Sequence, residues 1–256
     1  MTSKPSTSLD TDHAATSTVT TERNRRRFLA ALGAGSAVAI AGCLGGDETT
    51  SDPDADTNGT ADEPVIDSRF GYTLLADDEE TTIDADHTVQ LVIGPRDGSP
   101  VPEFYFEPTG LFVNPGDTVE FVMATPHHNV NAYHPAFGYE QRVPDDVPAF
   151  SSPILAEGDS WFYTFEAEGG YDFTCAPHET YGMAGRIVVG SATGPGATPI
   201  GEAPGDEEAR SPDGTAGTVL ADPALEGEAI VEAEAVVWAD LAVESKQLLQ
   251  GGGHEA

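Results

Sequence analysis

The stretch YDFTCAPHETYGMAGRIVV, residues 171–189, decides how the rest of the chain is read. It opens and closes in runs of aromatic and β-branched residues, the signature of two strands. Between them it places Cys175, His178 and Met183 within nine residues. Two residues separate the thiol from the imidazole and four separate the imidazole from the thioether. One loop joining two strands can therefore bring three metal donors to a single point. A structural zinc site prefers four nitrogen or thiolate donors closing a tetrahedron, and a thioether serves zinc poorly. Two imidazoles and a thiolate in a plane, with a weak axial thioether, instead suit a single blue copper ion that cycles between Cu(I) and Cu(II).

The second imidazole has to come from elsewhere. His127-His128-Asn129-Val130 supplies it, directly after the strand expected at 118–124, and spacing alone leaves open which of the two histidines serves. Here the chain resembles the cupredoxins, in particular the plastocyanin, pseudoazurin and halocyanin group. That group pairs His-Asn on one loop with Cys-x-Pro-His and a downstream Met on another. The resemblance runs from about residue 100 to 190 and includes Gly116-Asp117-Thr118-Val119 before the first ligand and Gly185-Arg186-Ile187-Val188-Val189 after the last. It implies His128, Cys175, His178 and Met183 as ligands of one type 1 copper ion, and Asn129 as the residue tying the two ligand loops together. It further implies an all-β, eight-stranded Greek-key sandwich in which the edge of His178 meets solvent within an apolar patch. His87 and His134 lack partners at ligand spacing and read as surface residues.

Working outward, residues 67–190 form the copper domain. Short runs rich in aromatic and β-branched residues, punctuated by Gly, Pro and Asp, predict strands at 70–76, 88–93, 103–107, 111–113, 118–124, 129–133, 161–166, 171–175 and 186–189. Asn114-Pro115-Gly116-Asp117 is a turn, proline presetting φ and glycine accepting a positive one. Residues 44–66 and 191–225, made of Gly, Pro, Ser, Thr and acids, predict disordered acidic linkers. The last segment, 226–250, places Ile230, Ala233, Val237, Leu241 and Leu248 near one helical face and reads as a helix, although 230–236 also alternates in part.

Residues 1–43 read as an export address. Arg25-Arg26-x-Phe28-Leu29 resembles a twin-arginine signal, and Ile40-Ala41-Gly42-Cys43 a lipobox whose cysteine becomes the lipidated first residue. The expected location is the outer face of the cell membrane, reached through the lipid anchor alone. Asn58-Gly59-Thr60 is a glycosylation sequon.

The net charge is −33, and from Cys43 onward 41 acids face only six bases. Such a surface repels nucleic acid phosphates and anionic headgroups, so neither is a partner. Only Lys4 and Lys246 are lysines, a composition resembling proteins of extreme halophiles. Copper enzymes built on this fold need further metal centres from extra histidines. The chain has seven, none arranged as His-x-His. A binuclear centre would need two bridging cysteines, and Cys43 is committed to the anchor. The expected function is thus not enzymatic. It is a one-electron carrier between redox proteins, membrane respiratory complexes among them, with a copper storage module or an accessory domain of a copper enzyme as the alternative.

Overall fold

In the computed structural model the described residues are 64–78, 81–204 and 208–248. Arg25, Arg26, Cys43, Asn58 and nearly all of the expected tether lie outside them. Period-two alternation of apolar side chains produces β1 (Tyr72–Leu74), β2 (His87–Gly94), β3 (Glu103–Glu107), β4 (Gly110–Val113), β5 (Asp117–Met123), β6 (Asn131–Ala132), β7 (Ser160–Phe165), β8 (Gly169–Thr174) and β9 (Ala184–Val189). A tenth strand, β10 (Ala235–Val236), comes from the C-terminal segment. The strands form two five-stranded sheets, ordered β1-β7-β5-β2-β3 and β10-β4-β9-β8-β6. The β2–β5 and β4–β9 pairs are parallel and the rest antiparallel, and only β2–β3 and β8–β9 join strands that are also neighbours in sequence.

Each of the nine expected strands has a counterpart. The run at 129–133 is the most shortened, pairing only at Asn131 and Ala132, because the Asn129 N–H is turned toward the Cys175 sulfur. Val89, Leu91, Val119, Phe121 and Met123 from one sheet meet Leu111, Val113, Tyr171, Phe173, Ile187 and Val189 from the other in a single apolar core. Phe173 stands edge-on to both Phe106 and Phe121, at ring separations of 4.8 and 5.7 Å, an arrangement that aromatic quadrupoles favour.

The C-terminal quarter departs from expectation. Residues 191–204 and 208–225, read as linker, are packed on the outer face of the second sheet. The helix expected over 226–250 is much shorter. Two brief helices form, α1 (Gly214–Leu220), capped by Asp213, and α2 (Gly227–Ala233). The second stops because Glu234 takes a φ of 62° and the chain turns into β10. Without that turn the edge of β4 would carry open N–H groups; the Phe112 N–H instead reaches Glu234 O at 2.8 Å and the Thr109 N–H reaches Val236 O at 2.9 Å. Val219, Leu225, Ile230, Val236, Trp238 and Leu241 cover Val188 and Phe112, so β9 is buried on both faces.

Polar groups secure this layer. Arg142, fully buried, pairs with Asp172 at 2.7 Å and donates to Thr198 O at 2.8 Å. Arg186 pairs with the same carboxylate at 2.6 Å and donates to Leu225 O at 2.7 Å. Gly170 and Gly196 touch backbone to backbone; a Cβ on Gly196 would lie 2.1 Å from Gly170 O, so only glycine permits the approach. No helix among the described residues is long and apolar enough to cross a membrane.

Candidate metal centre

The loops leaving β5 and β8 meet at one end of the sandwich and bring the expected donors together. Cys175 Sγ lies 3.6 Å from His128 Nδ1 and 3.3 Å from His178 Nδ1, and the two Nδ1 atoms are 3.2 Å apart. All three donor atoms fall within 4.8 Å of one another. Met183 is fully buried beside them: its carbonyl accepts from the Cys175 N–H at 3.1 Å and from Thr174 Oγ1 at 2.7 Å. The intervening residues form a 3-10 turn, Ala176–Tyr181. It ends at Gly182, whose φ of 93° turns the chain back so that Met183 returns to Cys175.

The doublet resolves in favour of His128. His127 holds a φ of 69° and its side chain is exposed, whereas His128 is fully buried. Thr125 supports the ring from behind: His128 Nε2 lies 2.9 Å from Thr125 Oγ1, which also receives the Ile93 N–H at 2.8 Å and faces Leu91 O at 3.3 Å. With the hydroxyl proton directed to Leu91 O, Oγ1 accepts the Nε2 proton and leaves the Nδ1 lone pair facing the thiol. Asn129 joins the two loops as the resemblance implies. Its Oδ1 accepts from the Ala176 N–H at 2.8 Å, and its own N–H donates to Cys175 Sγ at 3.4 Å.

Burial keeps the three donors neutral. Burial, with His178 and then His127 nearby, pushes the His128 imidazole down to about 4. Burial likewise holds His178 below its ordinary value. Burial pushes the Cys175 thiol up to about 12 despite N–H groups directed at it. Two neutral imidazoles and a thiol that keeps its proton converge in a poorly solvated pocket. A soft metal ion satisfies all three and displaces the thiol proton. The donors fit copper.

Of the four side chains only His178 reaches solvent; it is half-buried, beside exposed Ala176, Pro177 and Tyr181. Its ring stacks on Phe104 at 4.4 Å and Phe104 stacks on Tyr181 at 5.0 Å. Thr125, Phe104 and the buried Glu179 are site neighbours not singled out in the sequence. Glu179 adjoins a ligand and Thr125 precedes one by three residues, but nothing in the local pattern distinguishes either from ordinary loop residues. His87 and His134 lie apart from the site: His87 pairs with Asp117 at 2.9 Å, and His134 Nδ1 accepts from the Ala136 N–H at 3.0 Å.

A two-sheet sandwich that closes two imidazoles and a thiol around one point, with a methionine buried beside them, defines a type 1 copper protein. Residues 98–190 match the copper-binding proteins of the plastocyanin/azurin family. Over 106 residues the chain is 36% identical to a putative pseudoazurin of Rhizobium leguminosarum bv. viciae, spanning 41% of this chain and 61% of that protein. It is 37% identical over 106 residues to plastocyanin of Prochlorothrix hollandica, spanning 40% of this chain and 72% of that one. The crystal structure of pseudoazurin from Methylobacterium extorquens AM1 is 28% identical over 41% of this chain and 76% of its own, with a TM-score of 0.33. The chain belongs to the plastocyanin/azurin family of copper-binding proteins.

Proposed function

We propose that the protein is a membrane-tethered carrier that takes one electron from a redox protein and passes it to another, with His128, Cys175, His178 and Met183 as the copper ligands. The observation that carries this reading is the convergence of His128 Nδ1, His178 Nδ1 and Cys175 Sγ in a buried pocket from which only His178 reaches solvent. Copper supplies a one-electron couple between Cu(I) and Cu(II). The chain supplies a site that moves little. Thr125 holds the His128 ring, Asn129 ties one ligand loop to the other, and Met183 is fixed through its carbonyl. Electrons then enter and leave through the exposed edge of His178, against which a partner docks over Ala176, Pro177 and Tyr181. This is the work of a carrier rather than of an enzyme.

The sequence supports the tether. Arg25 and Arg26 address the chain for export and Cys43 receives the lipid, which places the copper domain on the outer face of the membrane beyond the spacer 44–66. Membrane respiratory complexes are the partners such a location offers, and the scarcity of lysine fits an environment of concentrated salt.

Two measurements test the reading. The copper-loaded protein is expected to show an intense visible thiolate-to-copper band, a narrow copper hyperfine splitting in electron paramagnetic resonance, and a reversible one-electron wave in voltammetry. Cys175→Ser should abolish the band, and Met183→Gln should retain copper at a lower potential. A Cys175→Ser protein with the wild-type spectrum overturns the ligand assignment, and bound copper without a reversible couple points to a storage module. For the tether, Cys43→Ala should move the protein from the membrane fraction to the soluble fraction.

A further inference from the structure

We propose that Glu179 and Arg210 form a latch through which the C-terminal segment, outside the stretch matched by the family, positions the copper loop. The inference rests on the type 1 copper reading above.

Glu179 follows the ligand His178 and lies inside the 3-10 turn, with its side chain 5% exposed. A carboxylate removed from water that far needs several donors, and the loop itself provides none. All the side-chain partners come from outside: Tyr139 OH donates to Oε2 at 2.8 Å, Arg210 Nη2 to Oε2 at 2.8 Å, Arg210 Nη1 to Oε1 at 3.4 Å, and the Asp213 N–H to Oε1 at 2.9 Å. Arg210 and Asp213 belong to the C-terminal segment. Arg210 also lies over the Tyr139 ring, 4.1 Å from its centroid, and Tyr139 stands edge-on to the buried Tyr133. The carboxylate is thus held by a charged fork, a phenol and the amide of the residue that caps α1.

A second contact lies three residues along. The backbone of Gly182 faces α1 so closely that a Cβ there would meet Thr215 Cγ2 at 3.2 Å and Val219 Cγ2 at 3.4 Å. The loop is therefore fastened at 179 and at 182, just inside the two ends of the chain that runs from His178 to Met183. A metal alternating between two oxidation states pulls its ligands toward two geometries. A loop pinned at both points resists following, and partners outside the first ring of ligands commonly set affinity in this way.

Arg210 is half-exposed, with 53% of its side chain open to solvent, so replacing it leaves the sandwich core intact. The test compares full-length Arg210→Met, Glu179→Gln and the double variant with Leu241→Ala. The last loosens the same segment through the buried cluster with Val188 and Trp238, which includes no loop residue. Copper affinity, potential and hyperfine splitting are read well below the unfolding transition, and amide exchange at Gly182 is read in copper-free protein. We expect the latch variants to keep the visible band while binding copper roughly tenfold more weakly, with an altered potential and hyperfine splitting and faster exchange at Gly182. The double variant should be no worse than the poorer single, because the two residues act as one unit. Leu241→Ala should lower thermal stability and leave affinity, potential and hyperfine splitting unchanged. The latch is overturned if Arg210→Met and Glu179→Gln behave as Leu241→Ala does. A wild-type protein without the visible band would instead refute the type 1 reading itself.

Discussion

At His128 the choice of donor nitrogen is made by a neighbour. Thr125 Oγ1 accepts the Nε2 proton because its own proton points to Leu91 O, and the ring is thereby presented with Nδ1 free. Thr125→Val keeps the shape of the side chain and removes the acceptor. It is expected to weaken copper binding about ten- to hundredfold, measured by competition with a chelator, while the visible band of the loaded protein persists. The four candidate ligands were legible in the sequence because three of them share one short loop and the fourth sits in a His-Asn pair. The rank of His127 and His128 was not legible from spacing. It depends on a left-handed backbone at His127 that turns one ring outward while the next is buried. Thr125 was not legible either, since a threonine after a strand is ordinary until its oxygen is seen between the backbone of β2 at Leu91 and Ile93 and the His128 ring.

Among the elements, the turn between β4 and β5 shows how a local motif becomes a pH-dependent tie. Asp117 Oδ2 accepts from the Asn114 N–H at 2.8 Å, the Asn114 side-chain amide at 3.2 Å and His87 Nε2 at 2.9 Å. Partial burial raises the carboxyl, but these hydrogen bonds outweigh it and hold Asp117 below the usual value of 3.8. A carboxyl lowered by folding contributes stability above its unfolded value and loses it as pH falls through the folded one. Wild-type protein should therefore be more stable than Asp117→Asn at neutral pH, and the gap should close below about pH 4, as read from urea midpoints across pH. The turn and all nine strands of the domain were legible because alternation and Gly/Pro punctuation are local signals. The C-terminal segment was not. Besides its apolar cluster, its docking uses backbone carbonyls at Thr198 and Leu225 and a close approach at Gly170 and Gly196, contacts that leave no side-chain pattern to read over 191–225. The composition that reads as a tether is here that of a strap lying flat on a sheet.

Across the whole molecule the scarce cations are concentrated at one seam. Of the six bases after Cys43, five join the sandwich to the C-terminal segment or lie within that join. Arg142 and Arg186 donate to its carbonyls, Arg210 holds Glu179, Arg96 contacts Lys246 O, and Lys246 Nζ donates to Trp238 O at 3.1 Å. Arg142, Arg186 and Arg96 are buried or nearly so at this seam, whereas Arg210 keeps 53% of its side chain open to solvent. Ending the chain after Gly190 would strip Arg142 and Arg186 of carbonyl partners and bare Phe112 and Val188. The Arg142–Asp172–Arg186 ion pairs survive, but each lost hydrogen bond to a charged group costs about 1.5–3 kcal/mol, so the truncated protein should unfold about 10 °C lower and bind a hydrophobic dye, both measurable in a thermal scan. The seam also sets an order of events during synthesis. Arg142 and Arg186 leave the ribosome before the carbonyls that complete their hydrogen bonding, and Glu179 leaves before Arg210. A nascent sandwich therefore keeps its outer sheet wet and its ligand loop unfastened until residues 198–225 have followed it out.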